Sequence, residues 1–205
     1  MQRLIVPAFL ACAAIVGVAT AQNRSAAQAD AAGFVELFNG KDLSGWKIEP
    51  AKAEKAFSVT EGAIVVKGSP AGYFYTEKSY KNYVLHYDFK FIKDGNSGLL
   101  VHITGGHKVW PKSVEVQGMQ KDHGHIFAIG GAKGTFKTDR AAQKKAIKIG
   151  EWNSVEITSR DGELTSKVNG IQVSTGKSDL TEGQFGFQSE GTELQFKNIK
   201  IKVLD

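Results

Sequence analysis

The chain has 205 residues, 41% of them hydrophobic and 23% charged, a length that one all-β domain can fill. Its 23 Gly and 4 Pro are typical of a soluble globular protein with many turns. The net charge of +5 would permit nucleic-acid binding, but the sequence contains no basic helix or RNA-binding signature, so we expect no nucleic-acid partner.

The first 21 residues have the pattern of a secretory signal peptide. Arg3 precedes an apolar run over residues 4–18, and an Ala-Thr-Ala cleavage site follows at residues 19–21. Because the run is short and polar sequence follows it, we expect a secreted or periplasmic protein with no membrane attachment after cleavage. A lipoprotein carrying a lipid on Cys12 is the less favoured alternative, since the residues before Cys12 make a poor lipobox. Cys12 is the only cysteine, so the mature protein would have no disulfides and would depend on its core.

Residues 22–32 are rich in Ala, Gln and Ser and show no apolar period, which predicts a flexible lead-in. The folded domain is then expected to occupy residues 33–205. It opens with a strand over residues 34–38, a turn at residues 39–40, and Trp46, which we expect to plug one end of the core.

Most of the remaining chain consists of short segments in which apolar and polar residues alternate, as they do in half-buried strands. The clearest is residues 83–91, and Asn169-Gly170 is a strong hairpin turn signal. The apolar parity switches within residues 194–203, which predicts a β-bulge near residues 197–198. The pattern predicts an all-β, two-sheet antiparallel sandwich of the jelly-roll type. Eight residues are predicted to lie in its core: Leu99, Val101, Val114, Val116, Val155, Ile157, Phe185 and Phe187.

A polar site is predicted on the strands at residues 98–104 and 113–117. Side chains alternate across a strand, so Val114 and Val116 can be buried while Glu115 and Gln117 face outward. The same rule places His102 opposite Leu99, Val101 and Ile103, on the open face with Glu115. The loop between the strands supplies Trp110, a flat surface of the kind that stacks on a sugar ring.

The segment after Gln117 contains His123 and His125, which follow Asp122 and precede a short strand over residues 126–129. Such a pair leaves divalent metal binding open, although a loop lining the groove is the favoured interpretation and we expect no cofactor. Residues 130–148 are predicted to be irregular and basic, with one helical turn near residues 141–146. This stretch is interpreted as a lid or as a solvated insertion.

Several segments, in this order, resemble the 3-keto-disaccharide hydrolase domain family: FVELFNGKDLSGW, NSGLLVHI, VWPKSVEVQG, GEWNSVEI, VNG and FGFQSEGTELQFKNIKI. The resemblance spans residues 34–203 and implies a concanavalin A-like (laminin-G-like) jelly roll that acts on oxidised glycosides outside the cytoplasm. Many members have an arginine where this chain has His102.

The activity that this resemblance implies has clear chemical needs. In a 3-keto-glycoside the ketone acidifies the hydrogen on C2, so a base can remove it, the C1 substituent can leave by β-elimination, and water can then add. This requires a base, an acid near the glycosidic oxygen and a donor to the enolate oxygen. His102 or Glu115 is the candidate base, with the other as acid or orienting group. The substrate-binding candidates are Trp110, Lys112, Gln117, His125, Gln188 and Glu190.

Two classes of function stay open at this point. One is a hydrolase or lyase that takes an oxidised glycoside as its carbohydrate substrate. The other is a non-catalytic, lectin-like sugar-binding module on the same fold, because a fold does not determine function. Glu115 and Glu190 could in principle form the carboxylate pair of an ordinary glycosidase, but the sequence alone does not establish that pair.

Overall fold

The computed structural model describes residues 29–205. The predicted signal peptide and residues 22–28 of the lead-in lie outside this range. Within residues 29–205, none of the helices has the length and apolarity needed to cross a lipid bilayer.

The described residues form fifteen strands, one α-helix and two short 3₁₀ helices. The helix, α1, spans Arg140–Ala146, and the 3₁₀ helices span Ala51–Ala56 and Gln120–Asp122. The strands are β1 Val35–Glu36, β2 Trp46–Glu49, β3 Phe57–Thr60, β4 Ala63–Val66, β5 Gly72–Thr76, β6 Tyr83–Phe91, β7 Gly98–Thr104, β8 Lys112–Gln117, β9 Ile126–Ile129, β10 Gly134–Thr138, β11 Asn153–Arg160, β12 Glu163–Val168, β13 Ile171–Ser178, β14 Gln184–Ser189 and β15 Leu194–Val203.

The strands form two antiparallel sheets that pack face to face. The nine-stranded sheet has the order β10-β13-β12-β11-β6-β15-β4-β3, and β1 pairs with β15 outside this path. The six-stranded sheet has the order β2-β5-β14-β7-β8-β9. The prediction of an all-β, two-sheet antiparallel jelly roll is therefore confirmed.

The core lies between the sheets and is rich in aromatic rings. Phe187 on β14 lies near its centre, with ring centroids 5.1 Å from Phe74, 5.0 Å from Tyr87 and 4.8 Å from Phe196. Trp46 packs against Phe74 and closes part of this cluster, as predicted. All eight residues predicted to lie in the core are buried.

The bulge in β15 is also confirmed. The pairing of β15 with β6 shifts register between Lys197 and Lys200, and Asn198 has a φ of 51°. This one inserted residue changes which face each following side chain occupies, so Ile199 and Ile201 point into the core.

The prediction for residues 130–148 is partly wrong. Most of the first half is β10, which pairs with β13 along its full length. The predicted helical turn exists as α1, and the Asp139 carboxylate caps it by accepting hydrogen bonds from the N–H groups of Ala141 and Ala142.

The prediction that His102 faces outward beside Glu115 is wrong. The pairing of β7 with β8 shifts register between Val101 and Thr104, and His102 has a φ of 54°. The irregularity reverses the alternation, so His102 points between the sheets while Ile103 points outward. Nδ1 of His102 donates to the Leu180 carbonyl at 2.9 Å, and Nε2 lies 3.0 Å from Oγ of Ser159 on the opposite sheet.

We predict that Val116→Ala lowers the free energy of unfolding by about 2 to 4 kcal/mol, because the side chain is 1% exposed and its loss leaves a cavity. Urea denaturation measures the change. Val203→Ala is the matched control on a strand of the other sheet. Val203 is 66% exposed, so the control should stay within about 0.5 kcal/mol of the wild type. Equal losses in the two variants would contradict the placement of Val116.

We predict that His102 makes the protein less stable in acid. Burial lowers the pKa of His102 from 6.5 to about 4, so between these values the unfolded chain binds the proton that the folded protein excludes. The stability that the neutral ring contributes is complete above pH 6.5 and is lost as the pH falls toward about 4. The loss amounts to about 3 kcal/mol.

Urea denaturation at several pH values tests this contribution of His102. In the His102→Gln variant the part of the pH dependence that belongs to His102 should vanish, whatever the variant's overall stability. Identical slopes of unfolding free energy against pH in the two proteins would refute the assignment.

Candidate active site

A groove of about 330 Å³ lies on the outer face of the six-stranded sheet. Its size is at the lower end of the range of about 300–1,000 Å³ that is usual for ligand sites. Eight residues line it: Asn96, Trp110, Glu115, Gln117, Phe127, Ile129, Gln188 and Glu190.

Strand alternation places most of these side chains. On β8, Val114 and Val116 enter the core, which directs Glu115 and Gln117 to the groove. Glu115 pairs with Leu100 of β7 on one side and with Phe127 of β9 on the other. Gln188 comes from β14, and Glu190 follows directly after that strand. The five predicted residues Trp110, Glu115, Gln117, Gln188 and Glu190 therefore meet in one groove.

Glu115 is the most buried carboxyl group in this groove, with 6% of its surface exposed. Burial raises the pKa of Glu115 to about 7, and the nearby charge of Glu190 adds to the effect. Gln188 opposes it, because its Nε2 lies 3.5 Å from Oε2 of Glu115 and favours the ionised form. Glu115 is thus divided between its protonated and ionised forms near neutral pH.

Glu190 is the second carboxyl group of the groove. Burial raises the pKa of Glu190, and a side-chain hydrogen bond with Asn96 lowers it. The backbones of Asn96 and Glu190 also form a β-bridge, which fixes the two residues side by side. Each carboxyl group therefore interacts with a different side-chain amide, Glu115 with that of Gln188 and Glu190 with that of Asn96.

Gly98 on β7 makes room for this arrangement. A Cβ at this position would overlap Oε1 of Gln188 and lie 3.0 Å from Oε1 of Glu115. Any side chain at this position would therefore displace the Gln188 amide or the Glu115 carboxyl group.

Two predicted substrate-binding residues, Lys112 and His125, do not line the groove. Lys112 is the first residue of β8, and alternation places its side chain on the same face of the strand as that of Val114. Its positive charge helps to lower the pKa of Asp179. His125 stacks on Phe127 with centroids 5.4 Å apart, and its Nδ1 shares a hydrogen bond of 2.6 Å with Oγ1 of Thr138. One ring, that of Phe127, thus separates His125 from the groove.

Sequence reasoning missed Asn96, Phe127 and Ile129 as groove residues. The position of Asn96 cannot be derived from strand alternation, because its contact with Glu190 links positions far apart in the chain. Phe127 and Ile129 could have been found, because they alternate with Ile126, which is buried in the core.

The sequence left open a metal site at His123 and His125, and the described residues offer no cluster of ligands that supports it. Residues 29–205 contain no group of three or more His, Cys, Asp or Glu side chains that could hold a metal ion. His123 lies inside the sandwich, stacked on Phe89 at 3.9 Å, where burial lowers the pKa of His123 to about 3. His125 instead contacts Phe127 and Thr138.

Known proteins resemble this chain in sequence and in fold. A 3-keto-disaccharide hydrolase of Bacteroides thetaiotaomicron is 23% identical, over 86% of this chain and 80% of its own length. A Parabacteroides distasonis crystal structure, provisionally described as a glycosyl hydrolase, is 28% identical with a TM-score of 0.67, and the match covers 85% of this chain and 95% of that one. The carbohydrate-binding module CBM66 of Bacillus subtilis shares the fold alone, at 15% identity and a TM-score of 0.54, over 77% of this chain and 95% of its own.

A family model covers nearly all of the described residues. The model of the 3-keto-alpha-glucoside-1,2-lyase-like domain matches residues 33–202, which confirms the resemblance found in the sequence motifs. This chain is a member of the 3-keto-alpha-glucoside-1,2-lyase-like domain family.

Proposed function

We propose that this protein cleaves 3-keto-glycosides in the groove by β-elimination, with Glu190 as the base and Glu115 as the acid. The observation that carries the proposal is the presence of two carboxyl groups with raised pKa values in one groove. Membership of the lyase-like family and the similarity to a 3-keto-disaccharide hydrolase support the same chemistry.

The electrostatics of the pair decide the two roles. Glu115 is almost fully buried whereas Glu190 is only partly buried, so loss of hydration disfavours the ionised form of Glu115 more strongly, and the charge of Glu190 disfavours it further. Glu190 therefore ionises first and its carboxylate is free to accept a proton. Glu115, with a pKa of about 7, retains a proton that it can donate.

The proposed reaction runs through an enolate. The Glu190 carboxylate takes the proton from C2, and the electrons of that C–H bond move toward the C3 ketone. The C1–O bond then breaks while the leaving oxygen takes the proton of Glu115, which gives a sugar with a C1=C2 double bond next to the ketone. Addition of water across that double bond yields the free 3-keto sugar, so elimination followed by hydration amounts to hydrolysis.

Gln117 and Trp110 complete the proposed site. Oε1 of Gln117 accepts a hydrogen bond of 2.8 Å from the Met119 N–H, so its amide NH₂ is the end left to donate to the ketone oxygen as negative charge develops there. Trp110 offers an aromatic wall for the sugar ring. The signal-like residues 1–21 lead us to infer that the reaction takes place outside the cytoplasm.

We predict that Glu115→Gln slows the cleavage of an alkyl 3-keto-glucoside by about 10² to 10⁴, because the leaving alkoxide needs a proton. Cleavage of the nitrophenyl 3-keto-glucoside should fall far less, since nitrophenolate leaves without one. For the wild type, kcat/KM with the alkyl substrate should decline as the pH rises above about 7, where Glu115 loses its proton. This decline should be absent in Glu115→Gln.

Glu163→Gln, an exposed glutamate on β12, is the matched control and should leave both rates unchanged. Equal losses on both substrates in Glu115→Gln would contradict its role as the acid. Cleavage of the unoxidised glucoside at a comparable rate would instead indicate an ordinary glycosidase that uses the same carboxyl pair.

We predict that Glu190→Gln slows both substrates equally, by about 10² to 10⁴, because removal of the C2 proton precedes departure of either group. In deuterium oxide the wild type should deliver deuterium to C2 during turnover, and NMR of the product detects it. Full activity in Glu190→Gln would overturn its role as the base. Saturable binding of the keto-glucoside without any cleavage by the wild type would favour the lectin-like alternative.

A further inference from the structure

The loop between β7 and β8, residues 105–111, reaches across its own sheet. It leaves β7 through Gly105 and Gly106, whose φ values of 74° and 94° favour glycine. Its His107 ring then stacks on Tyr75 of β5, with centroids 4.0 Å apart and an interplanar angle of 25°. Because β14 lies between β7 and β5, the loop must cross β14 to make this contact.

The sequence of β14 allows the crossing. Gly186 pairs with Tyr75 on one side and with Leu100 of β7 on the other, so no side chain of β14 stands in this row. A Cβ at Gly186 would lie 2.9 Å from Cδ2 of Tyr73, so the missing side chain leaves room for the Tyr73 ring, whose hydroxyl the loop reaches through His107.

A hydrogen bond and a buried apolar cluster hold the loop in place. Nδ1 of His107 lies 3.0 Å from the Tyr73 hydroxyl, two residues along β5 from the stacked Tyr75. Tyr73 and Tyr75 form an apolar cluster with Leu100 and Ile103, separate from the main core. Tyr73 is 0% exposed and Tyr75 is 8% exposed, so lifting the loop would return apolar surface to water.

Trp110 is the residue of this loop that lines the groove, three positions after His107. Lys112, two positions further, is already paired with Thr104 in the sheet. Trp110 thus stands on a short segment whose far end is fixed by β8 and whose near end is fixed through His107.

We propose that His107 is a positioning residue that fastens this loop to Tyr73 and Tyr75 and thereby holds Trp110 in place as the wall against which the sugar ring binds. The proposal rests on the proposed function, since it assigns the sugar-binding wall of the same groove. His107 acts through Trp110 and does not itself line the groove.

Steady-state kinetics with a 3-keto-glucoside provide the first test. His107→Ala should raise KM about tenfold with kcat nearly unchanged, because a loosened wall weakens binding alone. His107→Phe, which keeps a ring for stacking, and Tyr73→Phe, which removes only the hydroxyl, should each show a smaller increase. In a Trp110→Ala background, His107→Ala should have no further effect, since the group through which it acts is gone.

Fluorine NMR of protein labelled with fluorotryptophan provides a test that needs no substrate. The chain has 3 Trp, and the Trp110 signal is the one that disappears in Trp110→Phe. In His107→Ala the Trp110 signal should shift or change in linewidth, while the signal of Trp46 in the core stays unchanged as an internal check on the fold. Tyr73→Phe should alter the Trp110 signal in the same direction.

An unchanged Trp110 signal in both variants overturns the proposal, and so does an increase in KM that is fully additive with Trp110→Ala. If no keto-glycoside is cleaved by the wild type, the proposed function fails, but the NMR comparison still decides whether His107 fixes Trp110. An altered Trp110 signal in that case would support the positioning role alone.

Discussion

The burial of Glu115 beside a second carboxyl group is the constraint on which the site depends. A carboxylate loses hydration when it is buried, and a neighbouring negative charge disfavours ionisation further, so the pair holds a proton near neutral pH. The fold maintains this arrangement by anchoring Val114 and Val116 in the core on either side of Glu115. Gly98 contributes by leaving the space that Gln188 and Glu115 share.

The CBM66 module of Bacillus subtilis, which shares this fold, is named as a carbohydrate-binding module. An aromatic wall such as Trp110 would serve a binding module as well as an enzyme. The feature that favours catalysis here is the pair of carboxyl groups whose pKa values are raised by burial, because a binding module has no need for a proton held near neutral pH. The site, rather than the fold, carries the functional argument.

Much of the fold could be predicted from alternation alone, and so could two of the eight groove residues, Glu115 and Gln117. The period of two correctly placed Val114 and Glu115 on opposite faces, and β6 has the bounds expected from its pattern. The same rule failed for His102, because one residue with positive φ reverses the alternation and leaves no distinct mark in the sequence. Asn96 was missed because its contact with Glu190 joins segments that only the tertiary fold brings together.

The most direct test of this account is a titration of Glu115 followed by carboxyl-carbon NMR in labelled protein, with the signal assigned by its loss in Glu115→Gln. We predict a midpoint near pH 7, and a lower midpoint in Glu190→Gln, where the neighbouring charge is gone. A Glu115 that titrates at its ordinary value of 4.5, with or without Glu190, would contradict the proposal that this pair holds the proton of the reaction.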